Sequence, residues 1–176
     1  AKQTDNAVWH IHSGQPPERA SPVSFALLLN LVGVANASSK DQLWAYLAKY
    51  LPDATPTSEP VLDRLMGYAL NYYEDFVKPS KTYRLPDDKE TAALLDLAER
   101  LKALPADTTD GEIIQGEVYA VGKAHEFEPL RACFQALYDV LLGASQGPRF
   151  GSFAAIYGLP QTMALIEAGA NGELAA

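Results

Sequence analysis

Cysteine is almost absent from this chain of 176 residues. Cys133 is the only one, so the chain can form neither an internal disulfide nor a cysteine-rich zinc site. Its place in an apolar helical pattern favours a small core residue over a reactive thiol. No apolar run approaches the roughly 20 residues that a membrane span requires, and no charged-then-apolar signal peptide stands at the start. We therefore expect a cytoplasmic protein with no membrane partner.

Basic residues are also scarce, since 14 Lys and Arg stand against 22 Asp and Glu, a net charge of −8. This balance argues at first sight against nucleic-acid binding, and we expect no DNA partner. The negative charge is concentrated, however: the segment from Asp87 to Glu112 has eight acids and three bases, a net charge of −5. That acidic helical face could point away from RNA. Between Val77 and Pro86, by contrast, the charged residues are Lys78, Lys81 and Arg84, with no acid among them.

Strand-like alternation of apolar and polar residues is nearly missing, and Val8–His12 is its one short candidate. Apolar residues instead recur at helical spacing along most of the chain. We predict an all-α fold of about eight helices in two packed lobes. The extended stretch Lys78–Pro86, stiffened by its prolines, is the predicted boundary between an N-terminal lobe at 1–86 and a C-terminal lobe at 87–176.

Capping signals mark where several helices begin. Ser21-Pro22 predicts the start of the first helix. Ser39–Gln42 and Asp87–Glu90 both have the spacing of a capping box, in which the first side chain and the fourth satisfy each other's backbone N–H groups. Asp110 is the predicted cap of a later helix.

Residues that could carry catalysis or hold a metal are few. His10 and His12 could face one side of an extended segment, but no cysteine or acidic pair lies near them. The run His10–Ser13 lacks the third-position glycine of an ATP-binding His-Ile-Gly-His signature. No glycine-rich phosphate loop follows a strand, and no nucleophile elbow occurs. We predict no catalytic residue, no metal and no cofactor in this chain.

The most informative combination of residues is the corner at Gly147–Phe153. It follows an apolar run, Leu130–Leu142, that ends at Gly143. Glycine reaches positive φ and proline fixes φ, so the corner is predicted to turn tightly and to present Arg149 beside aromatic rings. A guanidinium beside flat rings suits phosphates and unstacked bases. The alternative is a plain helical corner whose phenylalanines fill the core and whose Arg149 caps carbonyls.

A second candidate is the segment Tyr72–Arg84, which combines aromatic and basic residues. Bases stack on aromatic rings, and cations neutralise phosphates. Tyr73 and Phe76 lie on the apolar stripe of a predicted helix, so we expect both in the core. The remaining solvent-side candidates for RNA contact are Lys78, Lys81, Tyr83 and Arg84. The alternative is ordinary surface charge.

Four longer stretches carry a likeness to a known family. They are HIHSGQPP from His10, SFALLLNLVGVANA from Ser24, NYYEDFVKPSKTYRLP from Asn71 and FQALYDVLLGASQGPRFGSFAAIYGLPQTMALI from Phe134. Together they resemble the C-terminal region of class I lysyl-tRNA synthetases, closest to the bacterial members. They keep the family's order and extend from about Val8 to Leu174, nearly the whole chain.

The resemblance implies both a fold and a task. The family's C-terminal half is a helical cage, similar to the anticodon-binding region of glutamyl-tRNA synthetases, that grips the tRNA stem and the anticodon loop. The lobe at 1–86 then corresponds to stem contact and the lobe at 87–176 to anticodon binding. The implied partners are lysine-accepting tRNA and the catalytic domain of the same enzyme. ATP and magnesium are expected only in that other domain, so this chain is predicted to be inactive alone.

The resemblance identifies the corner as a segment but not the role of each residue in it, and our hypothesis is that Arg149 contacts a phosphate or a base edge of the anticodon. The Ser152 hydroxyl is expected to take part, and Phe150 or Phe153 to stack, with at least one of the two rings buried. Two alternatives remain open. One is a helical protein–protein module that docks through its acidic face, and the other is a small enzyme with an unrecognised site.

Overall fold

Helices form every regular element in the computed structural model, which describes residues 21–175. Eight α-helices and no strand lie in this part of the chain, which confirms the predicted fold class. They are α1 (Phe25–Ala35), α2 (Lys40–Tyr50), α3 (Pro60–Tyr72), α4 (Asp88–Lys102), α5 (Gly111–Ala124), α6 (Arg131–Leu137), α7 (Phe150–Tyr157) and α8 (Leu159–Ala170). Short π-helical turns extend α3 over Tyr73–Val77 and α6 over Tyr138–Leu142, and 3₁₀ turns lie at Lys78–Ser80 and Glu173–Ala175.

Helix α1 is apolar on most sides, and Leu28 and Leu31 on it are fully buried. Ser24 caps it, because its hydroxyl accepts a hydrogen bond from the Leu27 backbone N–H at 3.3 Å. The predicted start at Ser21 is therefore early. The Ser21 hydroxyl instead donates to the Val23 carbonyl at 2.8 Å and forms a local turn before the helix.

The two predicted capping boxes differ in how complete they are. Asp87 and Glu90 form the full reciprocal box at the start of α4. Ser39 caps α2 through the Gln42 backbone N–H, but the Gln42 side chain accepts from the N–H of Ser38, at 2.7 Å, rather than from Ser39. The helix starts are thus confirmed. In α2, however, the glutamine side chain accepts from the residue before the cap instead of from the cap itself.

The π-helical turn after α3 changes which side chains face the core. Such a turn holds more residues than an α-helical turn, so it rotates the side chains that follow around the helix axis. Tyr73 is buried, as expected, but Phe76 is 63% exposed and Val77 packs inward. The prediction of a buried Phe76 is wrong for this reason.

Two groups of buried side chains form the interior. The first joins α1, α2 and α3, and the second joins α4, α5, α6 and α8. Helix α7 contributes to both, since Ile156 lies in the first group and Phe153 in the second. Cys133 lies in the second, where burial raises the pKa of its thiol to about 11, so its prediction as a core residue is confirmed. The division into lobes at residue 86 stays a prediction.

Helices α5 and α7 pack through two glycines. A Cβ on Gly151 would overlap the Gly111 carbonyl oxygen, and a Cβ on Gly111 would lie 3.1 Å from the Ser152 backbone. Gln115 is buried at the same crossing and accepts the Gly151 backbone N–H at 2.8 Å. Asp110 caps α5, as predicted. This contact fixes the start of α7 and with it the corner.

Candidate nucleic-acid interface

The phenylalanines of the corner point into the core. Phe150 and Phe153 are 1% and 0% exposed, with ring centroids 6.1 Å apart. They lie three residues apart on the face of α7 that packs against the second core. Neither ring offers a face to solvent, which corrects the expectation that one of them stacks on a base. These two residues instead fit the alternative interpretation, a helical corner whose phenylalanines fill the core.

Glycine serves the corner through close packing rather than positive φ. A Cβ on Gly147 would lie 2.6 Å from the Tyr138 ring, and Gly147 has no positive φ. The left-handed conformation belongs to Gly143, at φ 61°. The Tyr138 hydroxyl also donates to the Pro148 carbonyl at 2.8 Å. The turn is compact, but the reason differs from the predicted one.

Arg149 lies immediately before α7 with its guanidinium at the surface, its side chain 49% exposed. Both terminal nitrogens bind the carboxylate of Glu112, with Nη2 to Oε2 at 2.5 Å. The hydrogen bond to Glu112 is the main cause that raises the pKa of Arg149. Arg149 therefore pairs with an acid and does not cap carbonyls. Exposed ion pairs stabilise a fold only slightly, so a phosphate could replace Glu112 at small cost.

Ser152 is half-buried beside the α5–α7 crossing. Its Cα lies 3.1 Å from the position that a Cβ on Gly111 would take. Its hydroxyl makes no hydrogen bond with another residue in the described part of the chain. Contact between Ser152 and RNA stays a prediction.

Two of the predicted cations, Lys78 and Arg84, bind acids. Lys78 lies 2.9 Å from Glu74, one helical turn earlier, and remains exposed. Arg84 binds both oxygens of Glu90, at 2.6 and 2.8 Å, and its Nε lies 3.4 Å from Asp139. The Glu90 hydrogen bonds raise the pKa of Arg84 and lower that of Glu90. Arg84 thus joins its segment to α4 and to the turn after α6, while Lys78 stays at the surface.

Lys81 is sheltered between two tyrosines. Its Nζ lies 5.6 Å from the ring centroid of Tyr73 and 5.5 Å from that of Tyr83, and it donates to the Tyr83 hydroxyl at 3.2 Å. Gly33 leaves room for this arrangement, because a Cβ there would lie 2.8 Å from Nζ. Burial lowers the pKa of Lys81. Lys81 and Tyr83 are half-buried partners of each other, which corrects their prediction as solvent-side residues.

The two predicted segments meet at Gly143. The Thr82 backbone N–H donates to the Gly143 carbonyl at 3.1 Å. A Cβ on Gly143 would lie 2.9 Å from the Tyr83 ring, so the ring packs directly on that backbone. The aromatic and basic segment therefore supports the loop that leads into the corner.

A polar cleft beside the corner was missed by the sequence analysis. We name it the α6 cleft, and its volume is about 230 Å³. Its lining residues are Arg131, Phe134, Gln135, Tyr138, Ser145, Gln146 and Gly147. The outward spacing of Arg131, Gln135 and Asp139, at four-residue intervals on one helix face, is the signal that could have indicated it.

Tyr119 on α5 extends this surface between the cleft and Arg149. It is 44% exposed, and its ring meets that of Phe134 edge to face with centroids 5.1 Å apart. The surface therefore presents an aromatic ring, two guanidinium groups and two primary amides in one region, the mixture that single-stranded RNA sites use.

The described residues give no sign of two other kinds of site. In residues 21–175, no cluster of His, Cys, Asp and Glu could hold a metal ion. Over the same range no helix is both long and apolar enough to cross a bilayer. The histidine pair at His10 and His12 lies outside the described residues.

Curated lysine–tRNA ligases are similar to this chain. It is 48% identical over 174 residues to that of Roseobacter denitrificans, which covers 99% of this chain and 33% of the relative. It is 43% identical over 168 residues to that of Rickettsia felis, which covers 95% and 32%. The lysine–tRNA ligase of Rickettsia bellii is 43% identical over 167 residues, with coverage of 94% and 32%. The chain thus spans about a third of the length of these relatives and is homologous to that part of them.

Two further comparisons give no match. No protein-family model matches the chain. No solved structure matches it either.

Proposed function

We propose that this chain is the tRNA-binding part of a class I lysine–tRNA ligase, where it contacts the stem and the anticodon loop of lysine-accepting tRNA. The observation that carries the proposal is the 48% identity over 174 residues to a lysine–tRNA ligase of which the chain spans about a third. The proposal assigns the chain to the C-terminal region of a cytoplasmic enzyme. Attachment of lysine with ATP and magnesium is assigned to a separate catalytic domain of that enzyme.

The helical fold supports binding over nucleotide chemistry. The common ATP-binding arrangements place phosphates on a loop between a strand and a helix, and residues 21–175 contain no strand. Helical surfaces with rings, amides and guanidinium groups instead suit bases that are splayed out of an RNA loop. On this proposal 1–86 contacts the stem and 87–176 contacts the anticodon loop.

The acidic segment gives little support to the alternative of a protein-docking module. Three of its carboxylates lie in ion pairs with arginines, so part of its charge is neutralised within the fold. The pairs are Arg84–Glu90, Arg100–Asp96 and Arg149–Glu112.

An electrophoretic shift assay tests the proposed function directly. We expect the full chain to retard lysine tRNA more than duplex DNA of similar charge, with binding that weakens steeply as salt rises because phosphate contacts release counterions. Arg149→Ala should weaken tRNA binding about tenfold, the usual effect of losing one specific arginine contact. Glu112→Gln removes the acid that competes for Arg149 and should strengthen binding.

Three outcomes would contradict the proposal or its assignment to Arg149. Absence of a shift with lysine tRNA, or an equal shift with duplex DNA, overturns the proposed function. If Arg149→Ala and Glu112→Gln change tRNA affinity in the same direction, the pair affects binding only through the fold. Arg149 is then not part of the tRNA interface.

A further inference from the structure

We propose that the α6 cleft binds one unpaired nucleotide of the tRNA, with its base against the aromatic wall and its phosphate on Arg131. This inference rests on the proposed function and adds a specific site to it. Four features carry it: the size of the cleft, the orientation of Gln135, the unpaired state of Arg131 and the rigidity of the walls.

The volume of the cleft limits the ligand. About 230 Å³ is below the ~300–1,000 Å³ of pockets for drug-sized molecules. It is many times the ~10–15 Å³ that one water needs, so the cleft has room for a small polar group such as a single base. The rings of Phe134 and Tyr138 supply the wall on which such a base can stack.

Hydrogen bonds fix which way the Gln135 amide faces. Its Nε2 donates to the Asp139 carboxylate at 2.9 Å and to the Ser145 carbonyl at 2.8 Å. Because both partners are acceptors only, the nitrogen must face them, and Oε1 is the atom left over. No other described group donates to Oε1. The cleft therefore has a positioned acceptor for an N–H on the edge of a base.

Arg131 supplies positive charge without a competing carboxylate. It is exposed, and none of the acids in the described part of the chain pairs with it. Glu128, three residues earlier, forms no ion pair with it, and Asp139, two turns later, is bound by Gln135 and lies 3.4 Å from the Nε of Arg84. A guanidinium in this setting can bind phosphate oxygens two at a time.

The walls of the cleft are held by contacts from several directions. Gln135 ties the loop to α6 at Ser145, and Tyr138 ties it at Pro148. Gly143 begins the loop in the left-handed conformation, with the Tyr83 ring packed against it. A preorganised wall lowers the entropy that binding must otherwise overcome.

The larger cavity elsewhere in the molecule does not share these properties. It measures about 330 Å³ and lies between the start of α1 and the loop after α2. Its charged lining residues in the described range are the acids Asp53 and Glu59. Among the described residues its lining includes no lysine or arginine to bind a phosphate, whereas the α6 cleft has Arg131.

The test compares two exposed cations in the full chain. Arg131 lies in the α6 cleft, and Lys102, at the end of α4, is 69% exposed and belongs to the acidic segment that we expect to point away from RNA. With a hairpin RNA that copies the anticodon stem and loop of lysine tRNA, Arg131→Ala should weaken binding about tenfold and Lys102→Ala less than twofold. Gln146→Ala, at an exposed cleft residue, should weaken hairpin binding without altering the unfolding temperature.

A second measurement uses uridine 5′-monophosphate as the probe. Its addition to the wild-type chain should shift the NMR signals of the Gln135 and Gln146 side-chain amides, and Arg131→Ala should abolish those shifts. If wild type binds lysine tRNA but Arg131→Ala and Lys102→Ala bind the hairpin equally well, the cleft proposal is overturned and the proposed function stands. If wild type fails to bind lysine tRNA at all, the proposed function itself fails.

Discussion

At the scale of single residues, Gly151 has the most exacting position in the corner. Its backbone N–H reaches the buried Gln115 side chain, and its α-carbon faces the Gly111 carbonyl with no room for a methyl group. Helical Gly116, on the other side of α5, has open space around it. The same substitution at these two glycines therefore separates packing from intrinsic helix propensity.

We predict that Gly151→Ala lowers the free energy of unfolding by about 1–3 kcal/mol, because the added methyl group must push α5 and α7 apart. Gly116→Ala should instead raise it by up to about 1 kcal/mol, since alanine favours the helix. Urea unfolding of both variants measures the difference. Equal effects at the two positions would mean that α5 and α7 do not cross through Gly111 and Gly151.

At the scale of elements, the stretch Lys78–Pro86, which precedes α4, is held in place by the guanidinium of Arg84. Arg84 binds Glu90 on α4 and Asp139 after α6, and Glu90 also accepts the Asp87 backbone N–H at 3.0 Å. Glu90 is thus both a capping residue and the partner of Arg84. The helix start and this stretch are coupled through this carboxylate.

This coupling predicts that the free energy of unfolding depends on pH. Hydrogen bonds from Arg84 lower the pKa of Glu90 below its ordinary 4.5. A lowered pKa in the folded state gives stability that is present above 4.5 and is lost as pH falls through the folded value. We expect Glu90→Gln to reduce the unfolding free energy by about 1.5–3 kcal/mol near neutral pH, with the difference from wild type shrinking in acid.

Thermal unfolding from pH 7 down to pH 2.5 measures this effect. Glu99→Gln, on the exposed side of α4, controls for the loss of one negative charge. A difference between wild type and Glu90→Gln that stays constant over the whole range would contradict an ionised Glu90 as the source of the stability.

Helix starts could be predicted from the sequence because a cap is a local interaction. Asp87 and Asp110 satisfy N–H groups two or three residues away, and the spacing is visible in the letters. The π-helical turns were not visible, because tertiary packing decides where a helix widens. The 3.6-residue period that predicts a buried Phe76 is interrupted by the π-helical turn that begins at Tyr73.

At the scale of the whole molecule, charge pairing could not be read from the sequence. Lys78, Lys81 and Arg84 have no acid among them in the chain, yet folding brings Glu90 and Asp139 to Arg84. Arg149 meets Glu112, which lies 37 residues away. Such pairs depend on how helices cross. A local run of cations in the sequence therefore does not show which cations remain unpaired and able to bind phosphate.

The α6 cleft shows the same limit for the site. The corner itself was identified from glycine, proline and arginine in one short stretch, and its position next to the cleft follows from chain continuity. The cleft needed α6, its π-helical turn and the loop over 143–147 to be assembled together. Arg131 became a candidate only once its neighbours were known to leave it unpaired.

The central claim is that the corner and the α6 cleft together form the surface that contacts tRNA. Hydrogen–deuterium exchange of the full chain, with and without saturating lysine tRNA, tests it most directly. We predict slower amide exchange on binding in peptides that cover 131–149 and in the stretch of α5 that includes Glu112 and Tyr119. Unchanged exchange in both regions while tRNA is demonstrably bound, with protection confined to α1–α3, would contradict the claim.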